Sequence, residues 1–175
     1  MQHALVPILG FAAASGTGKT TLLTQIIPAL KAQGLRVGLI KHSHHNVQID
    51  QPGKDSFRLR VAGASPVMLS SAYRRVMITE FSEVKEPTLS EEIRFFDKSQ
   101  VDLILVEGFK SACFPKIELH REVLNKPLIY PNDPNIIAIA TDSDLIVPRR
   151  LKRLDINQAS TVVNFIINEF MEDSL

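Results

Sequence analysis

The stretch that most restricts this chain is an apolar run that halts on a glycine turn and resumes as a helix. Leu5 to Ala14 (LVPILGFAAA) reads as a buried strand, and Ser15, Gly16, Thr17 and Gly18 form a tight turn. Leu22, Leu23, Ile26, Ile27 and Leu30 then recur at helical spacing, predicting a helix over residues 19-33 that carries Pro28 inside it and stops at Gly34. Strand-like and helix-like segments alternate downstream. Residues 35-41 and 101-106 read as strands, the second nearly all apolar, as a strand covered on both faces should be. Further strands are expected at 116-119 and 136-140. Helices are expected at 54-62, from Thr88 with Glu91 completing a capping box, and from about 158 behind Asn157 as cap. Residues 66-69 and 75-78 read as a hairpin. The expectation is an α/β fold of the P-loop NTPase type: a mostly parallel central sheet with helices on both faces, plus a β-hairpin excursion. A chain of 175 residues is one domain's worth of material, so residues 1-175 are expected to form a single nucleotide-binding domain.

The turn carries chemistry. Ala13 to Thr20 (AASGTGKT) fits the pattern G-x-x-x-x-G-K-[ST] at every defining position except the first, where alanine replaces glycine. Glycines at 16 and 18 let successive backbone N-H groups turn inward, and the positive end of the following helix adds to the same concavity. A polyphosphate is the matching ligand. Ser15, Gly16, Thr17 and Gly18 would cradle it, Lys19 would reach the β- and γ-phosphates, Thr20 would ligate Mg2+, and Thr21 would sit beside the α-phosphate. No lysine stands at Ala14 or Ser15, so the additional lysine of partition-type ATPases is absent.

Two acids complete the expected metal side. Glu107 ends the apolar strand VDLILVE, at the edge where open parallel sheets bind ligands, whereas Asp102 stands at the strand entrance as a solvated residue. Asp50 lies in the polar segment after the second strand, which reads as a switch-like loop holding magnesium directly or through water, with Lys54 or a histidine meeting phosphate or substrate. His42, His44 and His45 crowd the start of that loop without the spacing of a zinc site. Asp142, after the late strand, is a candidate for the base contact or else a cap of its turn. The run Arg149-Arg150-Leu151-Lys152-Arg153 is the densest basic patch, suited to an anionic ligand or a partner's acidic face, or simply a solvated loop.

Balance excludes other roles. Twenty Lys and Arg against nineteen Asp and Glu leave a formal charge of +1, which argues against a dedicated nucleic-acid binder. The early apolar run is too short to cross a membrane and lacks a basic flank, so no membrane role is expected and the cytoplasm is the default.

The runs GFAAASGTGKTTLL, LIKHSHH with Asp50 and PGKDS, and DLILVEGFK together resemble the molybdopterin-guanine dinucleotide biosynthesis protein B family over residues 8-56 and 101-117. The resemblance implies a cytoplasmic, GTP-binding, Mg2+-dependent protein with weak GTPase activity. It further implies a homodimer that assists a partner guanylyltransferase in attaching GMP to molybdopterin. On this chain the phosphate loop falls on Ser15 to Thr21, and the acids fall on Asp50 and Glu107. Lys19, Asp50 and Glu107 are then the residues expected to serve hydrolysis. Two alternatives remain. One is a small-molecule kinase or an ATP-dependent ligase resembling dethiobiotin synthetase, whose glutamate-glycine pair is similar to Glu107-Gly108. The other is an adaptor whose nucleotide is structural.

Overall fold

A computed structural model of the chain describes residues 6-43 and 45-172, so His44 lies outside the described residues. They form two compact units: residues up to 42 together with those from 88 onward, and residues 43-87. In the first unit, β1 (Ile8–Ala13) runs into α1 (Lys19–Ala32), and β2 (Val37–Lys41) follows. The second unit holds α2 (Asp55–Val61) and the antiparallel pair β3 (Val67–Ser70) and β4 (Arg75–Ile78), the expected hairpin. The chain then forms the short α3 (Leu89–Glu92), β5 (Leu103–Glu107), β6 (Lys116–His120), β7 (Ile136–Thr141), β8 (Lys152–Asp155) and α4 (Ala159–Phe165), which continues as a wider π turn over Ile166–Phe170.

The six strands of the main sheet lie in the order β2-β5-β1-β6-β7-β8, and every neighbouring pair is parallel. Alternation along β5 shows how both faces are covered. Leu103 and Leu105 join a core with Leu22, Leu23, Ile26 and Leu30 of α1 and Val162 and Phe165 of α4. Ile104 and Val106 face the other way, against Leu89, Ile93 and Phe96 from the segment begun by α3. Each fully buried leucine or isoleucine contributes about 1.5-3 kcal/mol relative to exposure, so the strand is fixed from both sides. No helix among the described residues is long and apolar enough to cross a membrane.

Several local expectations shift. α1 continues through Pro28, which lacks the N-H that would reach the carbonyl of Thr24, and it closes with Gly34 N-H on Lys31 and Leu35 N-H on Leu30. The capping box at Thr88 and Glu91 forms, yet α3 tightens into a 3-10 turn after one turn of α-helix. α4 starts behind Gln158 rather than Asn157, because the Asn157 side-chain oxygen accepts from Arg121 instead of capping the helix. β8 was not expected: residues 149-153 read as a charged run, but Lys152 and Arg153 begin an edge strand whose Leu154 is buried. Three of the run's cations have internal partners. Arg150 donates to the carbonyls of Ile136 and Tyr130, Lys152 pairs with Glu169, and Arg153 pairs with Asp144.

Asp102 also has a partner at the strand entrance. Arg36 donates to it from Nε (2.9 Å), Nη2 (2.6 Å) and its backbone N-H (2.7 Å), linking the segments that lead into β2 and β5. The guanidinium hydrogen bonds hold this carboxyl at about 2, below its ordinary 3.8. A depressed carboxylate stabilises the fold above its unfolded pKa, and that contribution disappears as pH falls through the folded value. A carboxyl NMR titration is therefore expected to place the Asp102 midpoint near 2 in the native chain and higher in Arg36→Ala, which loses both guanidinium bonds but keeps the backbone N-H bond. The stability difference between the two proteins should fade over the same interval. Equal midpoints would contradict the pairing.

Candidate functional site

Parallel packing brings the carboxyl ends of the strands to one edge, where the backbone leaves each strand and the next segment departs. The turn after β1 is built by its own side chain: the Thr17 hydroxyl donates to the Ala14 carbonyl at 2.8 Å, and Thr17 is buried. Gly18 stands at the head of α1 with φ 93°, a conformation costly for any residue bearing a Cβ, and Gly16 has φ 82°. A Cβ at either position would meet nothing within 4 Å, so the demand here is conformational and the hollow in front of the turn is open. No side chain caps α1 and no acid occupies its first turn, leaving the N-H groups around Thr20 and Thr21 to an anion from outside. Ser15, Gly16, Thr20 and Thr21 are exposed beside the hollow.

Glu107 sits at the end of β5, in register with Lys41 at the end of β2 and with Phe11 of β1. One carboxylate oxygen lies 3.4 Å from Lys19 Nζ, and the other lies 3.4 Å from Lys41 Nζ. The carboxylate is mostly buried, whereas Lys41 is largely exposed. Two cations and an anion thus meet at the rim of the glycine turn. Immediately after Glu107 the chain turns sharply: Gly108 has φ 105° and Phe109 has φ 51°. A Cβ on Gly108 would lie 2.7 Å from the His42 Cβ, so glycine is required both by conformation and by contact. The His42 N-H donates to the Glu107 carbonyl at 2.8 Å, and its ring stacks on Phe109. His42 therefore braces the strand end that presents the carboxylate.

At the far side of the turn, Arg121 follows β6 and gathers three elements. Its Nε donates to the Thr17 carbonyl (3.2 Å), and its Nη1 donates to Asp142 Oδ2 and to Asn157 Oδ1, both at 3.0 Å. The other Asp142 oxygen accepts from the Glu122 N-H. That backbone bond foremost, with the guanidinium, keeps the Asp142 carboxyl below its ordinary pKa. Asp142 is thus ionised with both oxygens engaged. Between Arg121 and the first turn of α1 lies a cleft of about 240 Å3 walled by Gly18, Thr21, Gln25, Arg121, Ile156 and Asn157.

Asp50 belongs to the second unit, where it accepts from the Ser56 hydroxyl at 2.9 Å and lies 4.0 Å from Arg60 Nε. Asp50 Oδ2 and Arg60 Nε are buried there without a hydrogen bond. His45 is exposed in that unit, and among the described residues no three His, Cys, Asp or Glu side chains gather as a metal site. Sequence reasoning assigned no site role to Lys41 or Arg121, and it took Asn157 for the cap of the last helix. Lys41 did carry a signal: like Glu107, it is a charge closing an apolar strand, and in a parallel sheet such ends converge.

The family model described as molybdopterin guanine dinucleotide synthesis protein B matches residues 8–142. The chain is 46% identical over 164 residues to the molybdopterin-guanine dinucleotide biosynthesis adapter protein of Haemophilus influenzae, covering 93% of this chain and 89% of that one. It is 44% identical to the protein of that description from Escherichia coli, covering 96% and 95%. A crystal structure of a molybdopterin-guanine biosynthesis protein B superposes with a TM-score of 0.71 at 26% identity, covering 92% of this chain and 98% of that one. Bacillus subtilis MobB shares the fold, with a TM-score of 0.69 at 23% identity over 93% and 96% of the two chains.

Proposed function

The chain belongs to the family of molybdopterin guanine dinucleotide synthesis protein B, and on that footing we propose that it is a GTP-binding, Mg2+-dependent adapter in molybdopterin guanine dinucleotide biosynthesis. It assists a partner guanylyltransferase acting on molybdopterin, and it hydrolyses GTP slowly. The observation that carries this reading is the open, uncapped glycine turn with Lys19 and Glu107 paired at its rim. Lys19 exchanges the carboxylate for phosphate oxygens when nucleotide enters. The donors suit magnesium, which takes oxygen ligands: the Glu107 carboxylate and the exposed Thr20 hydroxyl on this unit. Bound there, the ion would offset charge on the terminal phosphates.

Slow turnover follows from what surrounds the loop. A transition-state arginine is worth ~10³ to 10⁵ in rate, and Arg121, the arginine that touches this turn, is committed to Thr17, Asp142 and Asn157. The bound nucleotide then serves as a switch or handle for the partner. The whole chain acts as one nucleotide-binding domain, with residues 43-87 inserted between β2 and α3. The proposed assembly is a homodimer, a reading favoured by the exposed Met68, Leu69 and Met77 on the two-stranded unit. The proposed compartment is the cytoplasm, in keeping with the chain's one cysteine, Cys113, being an exposed thiol.

Calorimetric titration tests the reading. GTP is expected to bind in magnesium, to bind more weakly after chelation of the metal, and to outcompete ATP. Added protein and GTP should raise guanylylation of molybdopterin by the partner enzyme. Light scattering on the same sample should give twice the 19.5 kDa chain mass. Equal affinity for GTP and ATP would count against the guanine assignment. A small-molecule product formed at about 1 to 100 per second would favour the kinase or ligase alternative.

A further inference from the structure

We propose that the cleft beside Thr21 receives the purine base, and that Asn157, oriented by Arg121, reads the six-position of that base; this rests on the phosphate-loop reading above. The cleft shares Gly18 and Thr21 with the turn that would hold the phosphates. A nucleotide seated there reaches into the cleft with its nucleoside end. At about 240 Å3 the space is smaller than the roughly 300-1,000 Å3 of pockets that enclose whole ligands, and it suits one heterocycle. Ile156 is buried and apolar at its wall, and the flat guanidinium of Arg121 offers a stacking surface.

The selectivity comes from a chain of hydrogen bonds. A guanidinium only donates, so the Asn157 amide atom that faces Arg121 Nη1 at 3.0 Å is the oxygen. The NH2 of Asn157 is thereby left as a donor, and among the described residues nothing accepts from it. Arg121 is itself held by Asp142, whose two oxygens are both engaged. Asp142 is then a positioning residue. A fixed donor matches the O6 acceptor of guanine and opposes the N6 amino group of adenine. It takes no account of the 2-amino group, which distinguishes it from a carboxylate reading the N1 and N2 hydrogens.

The unaltered protein provides the first test, titrated in magnesium with GTP, ITP, ATP and 2-aminopurine riboside triphosphate. GTP and ITP, which share O6, should bind within about threefold of each other. ATP and the 2-aminopurine nucleotide should bind about 5- to 10-fold more weakly, the effect of one opposed or missing hydrogen bond at an amide that water also reaches. Asn157→Asp presents oxygen alone and should lower GTP affinity about 5- to 10-fold while closing the gap to ATP. ITP binding tenfold or more below GTP would overturn the assignment in favour of a carboxylate at the base edge. An Asn157→Asp protein with native GTP preference would also overturn it. Failure of the unaltered protein to bind any of the four would instead refute the phosphate-loop reading on which the proposal rests.

Discussion

Lys19→Ala is expected to lose GTP affinity by about 100- to 1,000-fold while unfolding within a few degrees of the native chain. The ammonium stands at the rim of the phosphate turn, and its partner in this structure is Glu107 at 3.4 Å. Charged hydrogen bonds are worth roughly 1.5-3 kcal/mol each, and an ammonium spanning two phosphates makes more than one. At 1.4 kcal/mol per tenfold, this gives the stated range. Against stability the loss is small. The Lys19-Glu107 pair is partly open to solvent, such pairs contribute about 0-1 kcal/mol, and Glu107 keeps Lys41 on its other oxygen. Calorimetry for binding and a thermal melt for folding separate the two quantities. A variant that binds GTP within threefold of the native chain would dismiss the turn as a phosphate site. A variant that loses GTP yet still stimulates the partner would support the adaptor with a structural nucleotide.

The second large effect concerns stability. Glu118 is buried on β6, and its two carboxylate oxygens accept from the N-H groups of Ile129 (2.7 Å) and Tyr130 (2.8 Å). Glu118→Ala strands both donors without water and leaves a cavity, at about 1-3 kcal/mol for each donor. The expected loss is about 3-5 kcal/mol, or roughly 10 °C in Tm for a chain of this size. Glu118→Gln keeps one acceptor but turns an NH2 toward the other donor, so it should fall between. Burial pushes this carboxyl above its ordinary pKa, and the two N-H bonds only partly counter it. A raised carboxyl stabilises the fold fully below its unfolded pKa and loses that contribution as pH rises through the folded value. The margin of the native chain over Glu118→Gln is therefore expected to be widest below the ordinary value of 4.5 and to narrow above it. Denaturant melts at several pH values measure it. Native stability in Glu118→Ala would mean that water reaches the two donors.

Local patterns were readable in the sequence. α1 and its preceding turn were legible because glycine spacing and apolar periodicity lie within one short stretch, and the capping box at Thr88 and Glu91 is likewise a three-residue relation. β5 announced itself by four consecutive buried residues before Glu107. What stayed hidden depends on partners far away along the chain. β8 displays two cations before its buried Leu154, so an edge strand looks like a surface loop until β7 is found beside it. Arg121 meets Thr17 across 104 positions, and nothing in either neighbourhood advertises the other. Asn157 had the residue type of a helix cap but was claimed by Arg121. The convergence of Lys41 with Glu107 required knowing that β2 lies beside β5.

Along β6, Lys116 and Glu118 alternate with Ile117 and Leu119, and all four side chains are buried. Lys116 reaches Asp133 and the Ala112 carbonyl, Glu118 reaches two loop amides, and the apolar pair joins the core beneath α1 and α4. Neighbouring side chains on a strand point to opposite faces, so a slip of one position would drive an ammonium and a carboxylate together into an oily layer with nothing to receive them. Mispaired arrangements of the sheet are thereby penalised far more than the contacts they forgo. The strand acts as a proofreading device for assembly, admitting only the alignment in which both charges find their loops.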